Sequence, residues 1–264
     1  MTKNTNIDER IVDLVNQLKP ITLEEMSGIK LMNRTDTKFV TNKHKLAELL
    51  KMVQGKYYAQ FTNESMIAEY ITTYWDTDTL RFYFDHHNGR SPRQKVRVRT
   101  YVGSDLTFLE VKTKNNHGRT KKKRIEAPSQ EVKTVQAEAD PFLDKLVHSS
   151  LDAFHPTVQN HFHRITLVNY ERTERLTIDF NVQFHNFETQ ADAQTGDLVI
   201  IELKRDGNVY SPILDVLRHL RIKPSGFSKY CIGSVMTNRH LKRNMFMEKM
   251  VWVEKLVGAK LERC

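Results

Sequence analysis

Lys95, Arg97 and Arg99 stand at every second position of one short run, QKVRVRTY, residues 94–101. Glu110, Lys112 and Lys114 alternate in the same way in FLEVKTK, residues 108–114, and Lys122 and Arg124 in TKKKRIE, residues 120–126. Residues at i and i+2 share one face of a β-strand. Three neighbouring strands would therefore each carry a polar face of nearly one sign, with Val96, Val98, Leu109 and Val111 on the other. The pattern returns later with carboxylates included. Arg175, Thr177 and Asp179 oppose Leu176, Ile178 and Phe180, and Glu202 and Lys204 oppose Ile201 and Leu203. Like charges on adjacent strands repel unless an anion lies between them. Arginine offers phosphate oxygens a fork of donors, and lysine a mobile point charge. The chemistry these residues suit is binding of a phosphate chain and phosphoryl transfer, which needs positioning and charge neutralisation rather than a nucleophilic side chain. The plainer alternative is an amphipathic sheet whose charged face lies in water.

The charge distribution supports a polyanionic partner. The 264 residues carry a net +9, yet the 35 residues from Arg90 to Arg124 alone carry +10 and the remainder −1. Nucleic acid, nucleotide and polyphosphate are the candidates. Two cysteines, Cys231 and Cys264, exclude a disulfide framework and fit a reducing compartment. No apolar run reaches the roughly 18 residues of a membrane helix, and MTKNTNIDER lacks the apolar stretch of a signal peptide. The expectation is a cytoplasmic protein with no membrane segment of its own.

The elements that would position these residues follow from periodicity and punctuation. Residues 7–19 have helical spacing, Thr22 with Glu25 forms a capping box, and Asn42 caps a helix over KHKLAELLKMV. Strands are expected at 36–41, 66–75, 94–102, 106–114, 119–126, 161–170, 174–184 and 197–205, with turns at GSD and NNHG and a loop at 88–92. Helices are expected over 130–150, near 210–221 and over 238–257. Proline and glycine are scarce and no repeat or linker stands out, so a single domain spans 1–264: an N-terminal helical segment (1–30), a core (34–237) and a C-terminal helix (238–264). Meandering strands with inserted helices indicate an α+β fold on an antiparallel sheet, and closure into a barrel would remove its exposed edges.

Eight segments in order resemble the VTC (vacuolar transporter chaperone) domain, the polyphosphate polymerase branch of the triphosphate tunnel metalloenzymes, or CYTH superfamily. They are RTDTKFV (34–40), YWDTDTLRFYFDHHNGR (74–90), KVRVRTY (95–101), FLEVKTK (108–114), TKKKRIE (120–126), YERTERLTIDF (170–180), LVIIELKRD (198–206) and SGFSKYCIG (225–233). The resemblance implies a closed antiparallel barrel of about eight strands with surrounding helices and a polar tunnel inside. It assigns phosphate-handling roles to Lys38, Arg97, Arg99, Lys112, Lys122, Arg172, Arg175 and Lys229. It places Tyr170 and Ser228 beside them, with Lys114 and Arg124 as further substrate contacts. Glu202 in IIELK matches a metal-binding glutamate, with Mn²⁺ or Mg²⁺ as the cofactor and Glu110 and Asp179 as weaker ligand candidates. Where many tunnel enzymes open with Glu-x-Glu-x-Lys, this chain has Arg34, Asp36 and Lys38, which favours the VTC branch.

The implied function is a metal-dependent polyphosphate polymerase that passes the terminal phosphate of ATP to a growing chain, in a free-standing, bacterial-type form with a possible membrane-protein partner. Two alternatives stand beside it: a triphosphatase on the same fold, and a module that binds polyphosphate or nucleic acid without catalysis. Basic residues turned inward disfavour duplex nucleic acid, which needs an external basic surface. Other readings are blander. His86, His87, His161 and His163 lack neighbouring cysteines, so a zinc site is weakly supported. Tyr74, Trp75, Tyr83 and Phe84 are expected as core residues of alternating strands. The N-terminal helix has an acidic face that would allow it to cover the tunnel.

Overall fold

The computed structural model describes residues 6–27, 34–104, 106–116, 119–130, 136–207 and 209–261. Arg34 is described in its backbone only, and Asp105, Cys264 and parts of the NNHG turn and the 130–150 segment lie outside these residues.

Eight strands form the main path of the sheet. They are β2 (Arg34–Asn42), β4 (Ile67–Asp76), β5 (Arg93–Tyr101), β6 (Leu106–Lys114), β7 (Thr120–Ala127), β8 (His155–Asn169), β9 (Glu174–Asn186) and β11 (Leu198–Asp206). Their order is β2-β11-β9-β8-β4-β5-β6-β7, each neighbour antiparallel. Short strands β1 (Lys19–Ile21), β3 (Tyr57–Gln60) and β10 (Asp192–Gln194) attach at the margins, β1 to β3 in parallel. Among the described residues β2 and β7 do not pair with each other, so the sheet is an open, curled half-barrel rather than the closed barrel expected. The sequence of β7 explains one open edge. Four consecutive cations, Lys121 to Arg124, are exposed on it, and lysine-rich edges resist further pairing.

Outside the curl, α1 (Ile7–Asn16), α3 (Lys43–Met52) and α6 (Pro212–His219) cover β2, β11, β9 and β8. Phe39, Ile165, Ile178, Ile201 and Leu203 meet Ile11, Leu46, Leu50 and Ile213 there. Helix α1 is therefore held on the convex side, with Asp8 paired to Lys43 at 2.7 Å, and does not cover the concave face. Both expected N-terminal caps form. Thr22 and Glu25 exchange hydrogen bonds of 2.8 and 3.2 Å at the start of α2 (Leu23–Ser27), and the Asn42 side chain accepts from Lys45 N–H at 3.0 Å. Helix α5 (Gln136–Val147), shorter than the 130–150 expected, packs Ala139, Leu143 and Val147 with Val96, Val98, Leu109 and Val111.

One helix lies inside the curl. α7 (Lys229–Thr237), which sequence periodicity did not announce, is buried along its length because nearly every residue but Lys229 is apolar or small. It rests on Val40, Val182, Phe184 and Ile200. A bulge makes this possible. Two residues of β9 oppose one of β8 between His161 and His163, and Asn181 takes a left-handed backbone (φ +53°). Outward parity at Phe180 thus becomes inward parity at Val182 and Phe184. The last helix is α8 (Asn244–Val257), beginning later than the 238–257 reading. Tyr83 and Phe84, expected as core residues of alternating strands, lie in a helix, α4 (Arg81–His87), instead. The buried Asp76 carboxylate accepts the N–H groups of Phe82 and Tyr83 at 3.0 and 2.9 Å and the Tyr230 hydroxyl at 2.5 Å, a tertiary cap that propensity does not reveal.

At Gly233 α7 packs tightly against the sheet. A Cβ there would stand 2.5 Å from the Phe184 ring. Gly233→Ala is expected to cost about 1–3 kcal/mol by overpacking, read as a fall in Tm of roughly 3–8 °C. An unchanged Tm would show that Phe184 steps aside freely.

Candidate functional site

The strand register brings the alternating charges into rows on the concave face. Lys38 on β2 opposes Glu202 on β11, which opposes Thr177 on β9. Asp36, Lys204 and Arg175 form the next row. Arg164 on β8 opposes Asp179. Arg97 opposes Glu110, which opposes Arg124, while Lys95, Lys112 and Lys122 stand side by side across β5, β6 and β7. From α7, Ser228 caps the helix through Cys231 N–H and accepts from Lys95 Nζ at 2.8 Å. Next to it, Lys229 pairs with Asp179.

Two carboxylates are consumed by ion pairs. Glu110, fully buried, accepts from Arg97 at 2.6–2.8 Å on one oxygen and from Lys122 at 2.7 Å on the other. Burial would raise its pKa, but Arg97, Arg99 and Lys122 outweigh it and hold the group at about 2. Asp179 accepts both forks of Arg164, at 2.6 and 2.8 Å, together with Lys229. Its pKa is held well below the usual range by these cations despite desolvation. Both carboxylates are thus structural anions inside a cationic wall.

The cations outnumber them. Among the described residues Lys38, Lys95, Arg99 and Lys112 have no carboxylate within 4.0 Å. Lys38 donates to the Phe227 carbonyl at 3.1 Å and Arg99 to Thr72 Oγ1 at 3.0 Å, with its guanidinium 5.6 Å from the Tyr70 ring centre. Burial pushes the Lys112 pKa down to about 7, with Lys38, Arg97 and Lys95 adding to it against the opposing pull of Glu202. Desolvation takes Lys229 to about 8 and Arg99 to about 10, and lowers Lys95 as well. On Tyr74, expected as plain core, burial is outweighed by Arg97, Lys95 and Arg99, which lower the phenol pKa.

Glu202 differs from the other two carboxylates. Its carboxylate makes no ion pair within 4.0 Å among the described residues, yet Lys204, Lys38 and Lys112 outweigh desolvation and hold its pKa at about 2. It is an ionised, uncommitted oxygen donor on the concave face. Among the described residues there is no group of three or more His, Cys, Asp or Glu placed to hold a metal ion. A divalent metal of the kind the resemblance implies would have Glu202 as its candidate protein ligand, with phosphate oxygens and water to fill the remaining positions. Glu110 and Asp179 are engaged elsewhere. The histidines divide among other partners. His86 Nδ1 lies 3.1 Å from Cys231 Sγ, His87 bonds Asn88 and Asn244, and His161 bonds Glu69.

The structure brings together Lys38, Arg97, Arg99, Lys112, Lys122, Arg175, Glu202, Ser228 and Lys229, all anticipated. Lys114 and Arg124 are exposed towards the free edge, Arg124 lying 4.0 Å over the Phe108 ring. Tyr170 and Arg172 sit at the β8–β9 turn instead. Tyr170 packs on Tyr58 at 4.5 Å, and Arg172, at φ +57°, has Glu25 4.0 Å away. The inward arginine of β8 is Arg164, which was not anticipated. Its signal was present in HFHRIT, where Arg164 keeps the parity of Phe162, but the intervening histidines hid the alternation.

The model of the VTC domain matches residues 33–238. The chain belongs to the VTC domain family. No curated relative matches it. Solved structures similar to it include a putative adenylyl cyclase from Hippeastrum described as having a dominant triphosphatase activity (15% identity, 76% of this chain and 94% of that one, TM-score 0.49). A putative adenylate cyclase from Bacillus halodurans is similar at 12% identity, over 75% of this chain and 96% of that one, with a TM-score of 0.49. The RNA triphosphatase Pct1 of S. pombe aligns at 9% identity over 97% and 94%, with a TM-score of 0.29. Among the described residues no helix is long and apolar enough to cross a membrane.

Proposed function

We propose that the concave face is the substrate site of a metal-dependent polyphosphate polymerase, which passes the γ-phosphate of ATP to the end of a polyphosphate chain. The observation that carries this reading is the set Lys38, Lys95, Arg99 and Lys112: cations desolvated or half-buried on one face, with no carboxylate within 4.0 Å among the described residues. Like charges so arranged are costly alone and are satisfied by an extended polyanion. Arg97 and Lys122, paired with Glu110, and Arg164 and Lys229, paired with Asp179, line the same face, as do Arg175 and Lys204, whereas Arg172 and Tyr170 stand outside it. Mn²⁺ or Mg²⁺ on Glu202 would neutralise charge on the transferring phosphoryl group. Lys112, near neutral pH, changes protonation readily and thus responds to the charge that moves along the chain. The concave placement of these cations favours a single phosphate chain over duplex nucleic acid, which needs an external basic surface.

The test is turnover of purified protein with ATP and Mn²⁺, following ADP, free phosphate and chain length, beside Glu202→Gln. The expected result is ADP matched by polyphosphate, with the variant slower by roughly 10²-fold. ADP matched by free phosphate without chains would assign a triphosphatase to the same face. Tight polyphosphate binding without turnover would assign a binding module.

A further inference from the structure

A second basic site lies beside the concave face, along the free edge of β2. It is a cleft of about 590 Å³ between the start of α3, the segment 221–225 and α8, within the size range of roughly 300–1,000 Å³ typical of small-molecule sites. Lys45, Arg221, Lys223 and Lys249 line it against one acid, Glu248. Arg221 and Lys223 are exposed, and neither has an ion-pair partner within 4.0 Å among the described residues. Lys45 Nζ is fixed by the Leu220 carbonyl at 2.9 Å, and Lys249 by Ser225 Oγ.

Two observations go beyond charge. Trp252 lines the cleft and remains 37% exposed, with Lys249 Nζ 4.8 Å from its ring centre. An open indole beside cations is a platform for a flat, electron-rich ring. Thr41, 1% exposed, lines the inner wall with its hydroxyl buried and without a hydrogen-bond partner. A buried polar atom with no partner is uncommon in a folded protein, and a ligand hydroxyl or phosphate oxygen would satisfy it. The strand that lines the cleft also borders the concave site. Ser225 N–H donates to the Lys38 carbonyl at 2.8 Å, and Pro224 forms a bridge with Phe39.

We propose that this cleft at the β2 edge binds a nucleotide, with the base on Trp252 and the phosphates on Arg221, Lys223 and Lys45. The proposal is independent of the reaction assigned to the concave face. Trp252 supplies the probe, since the other tryptophan, Trp75, is buried in β4. The experiment titrates ATP into the full-length protein with the concave face first saturated by tripolyphosphate, and reads indole fluorescence. The expected result is a saturating change that is lost in Trp252→Phe and shifted at least tenfold to higher ATP in Arg221→Glu/Lys223→Glu. Both of those changes are to exposed side chains, and the thermal stabilisation of the double variant by tripolyphosphate should match the parent's. No fluorescence change with ATP, or a change that the double variant leaves in place, would overturn the proposal. So would an equal change, without ATP, on raising tripolyphosphate alone, because the site would then take phosphate chains irrespective of a base.

Discussion

Glu110→Gln is expected to lower the Tm by about 10 °C, from a loss of roughly 3–5 kcal/mol when one partner of a buried ion pair is removed. Glu110 is 0% exposed and is the anion that holds Arg97 and Lys122, so a neutral amide leaves two cations facing Arg99 and Lys112 without it. The same variant should respond more strongly to tripolyphosphate, which supplies the missing negative charge. The gap in Tm to the parent should narrow as the anion is added. The pH dependence has a definite sign. The folded-state pKa is depressed, to about 2 from the ordinary 4.5, so the stabilisation is present above that ordinary value and is lost as pH falls towards 2. The difference in Tm between parent and variant should therefore shrink in that acid window. A variant within about 2 °C of the parent at neutral pH, or a gap that tripolyphosphate does not narrow, would show that Glu110 is not what holds these cations.

Affinity for long-chain polyphosphate is expected to fall above pH 7, by up to about tenfold per pH unit while Lys112 loses its proton. The inner phosphates of a long chain keep their single charge across neutral pH, so the titration reports the protein. Burial and the neighbouring Lys38, Arg97 and Lys95 take Lys112 to about 7, and only its protonated form attracts the chain. A bound polyanion raises that pKa again, so binding takes up a proton. Stability of the free protein moves the other way. A lysine with a depressed folded pKa costs stability below about 7, and the cost fades as pH rises from 7 towards the ordinary 10.5. Opposite trends of affinity and free-protein Tm over this window are the signature. Lys112→Arg keeps the charge, since guanidinium does not deprotonate in this range, and should flatten the first step, leaving the weaker slope of Lys229, which sits near 8. Polyphosphate affinity that is level from pH 6 to 9 in the parent would refute the assignment of Lys112 as a titrating contact.

Much of the site was legible in the chain because strand alternation is a local property. Once QKVRVRTY and FLEVKTK are strands, Arg97, Arg99, Glu110 and Lys112 must share faces whatever the rest of the protein does. The same holds for Glu202 against Ile201 and for Asp179 against Ile178. Charge was equally plain, since the excess of cations in one stretch is a matter of counting. What the tertiary structure alone decided is how those faces meet. Glu110 could be a metal ligand or an ion-pair partner by sequence, and only the β5–β6–β7 register, with Arg97 and Lys122 on either side, commits it to the second. The bulge at Asn181 is set by pairing with β8, and the Asp76 carboxylate that caps α4 is held by Tyr230 far along the chain, so the switch of β9 to an inward apolar end, and the helical placing of Tyr83 and Phe84, carry no local signal. Helix α7 reads as an apolar stretch with no amphipathic face because it is buried on all sides inside the curl. Whether the sheet closes was likewise beyond the sequence, since alternation specifies which side chains share a face but not which strand edges meet. Residue types and their parity set the chemistry of this protein. Long-range pairing set which charges cancel, and so which remain for a phosphate chain.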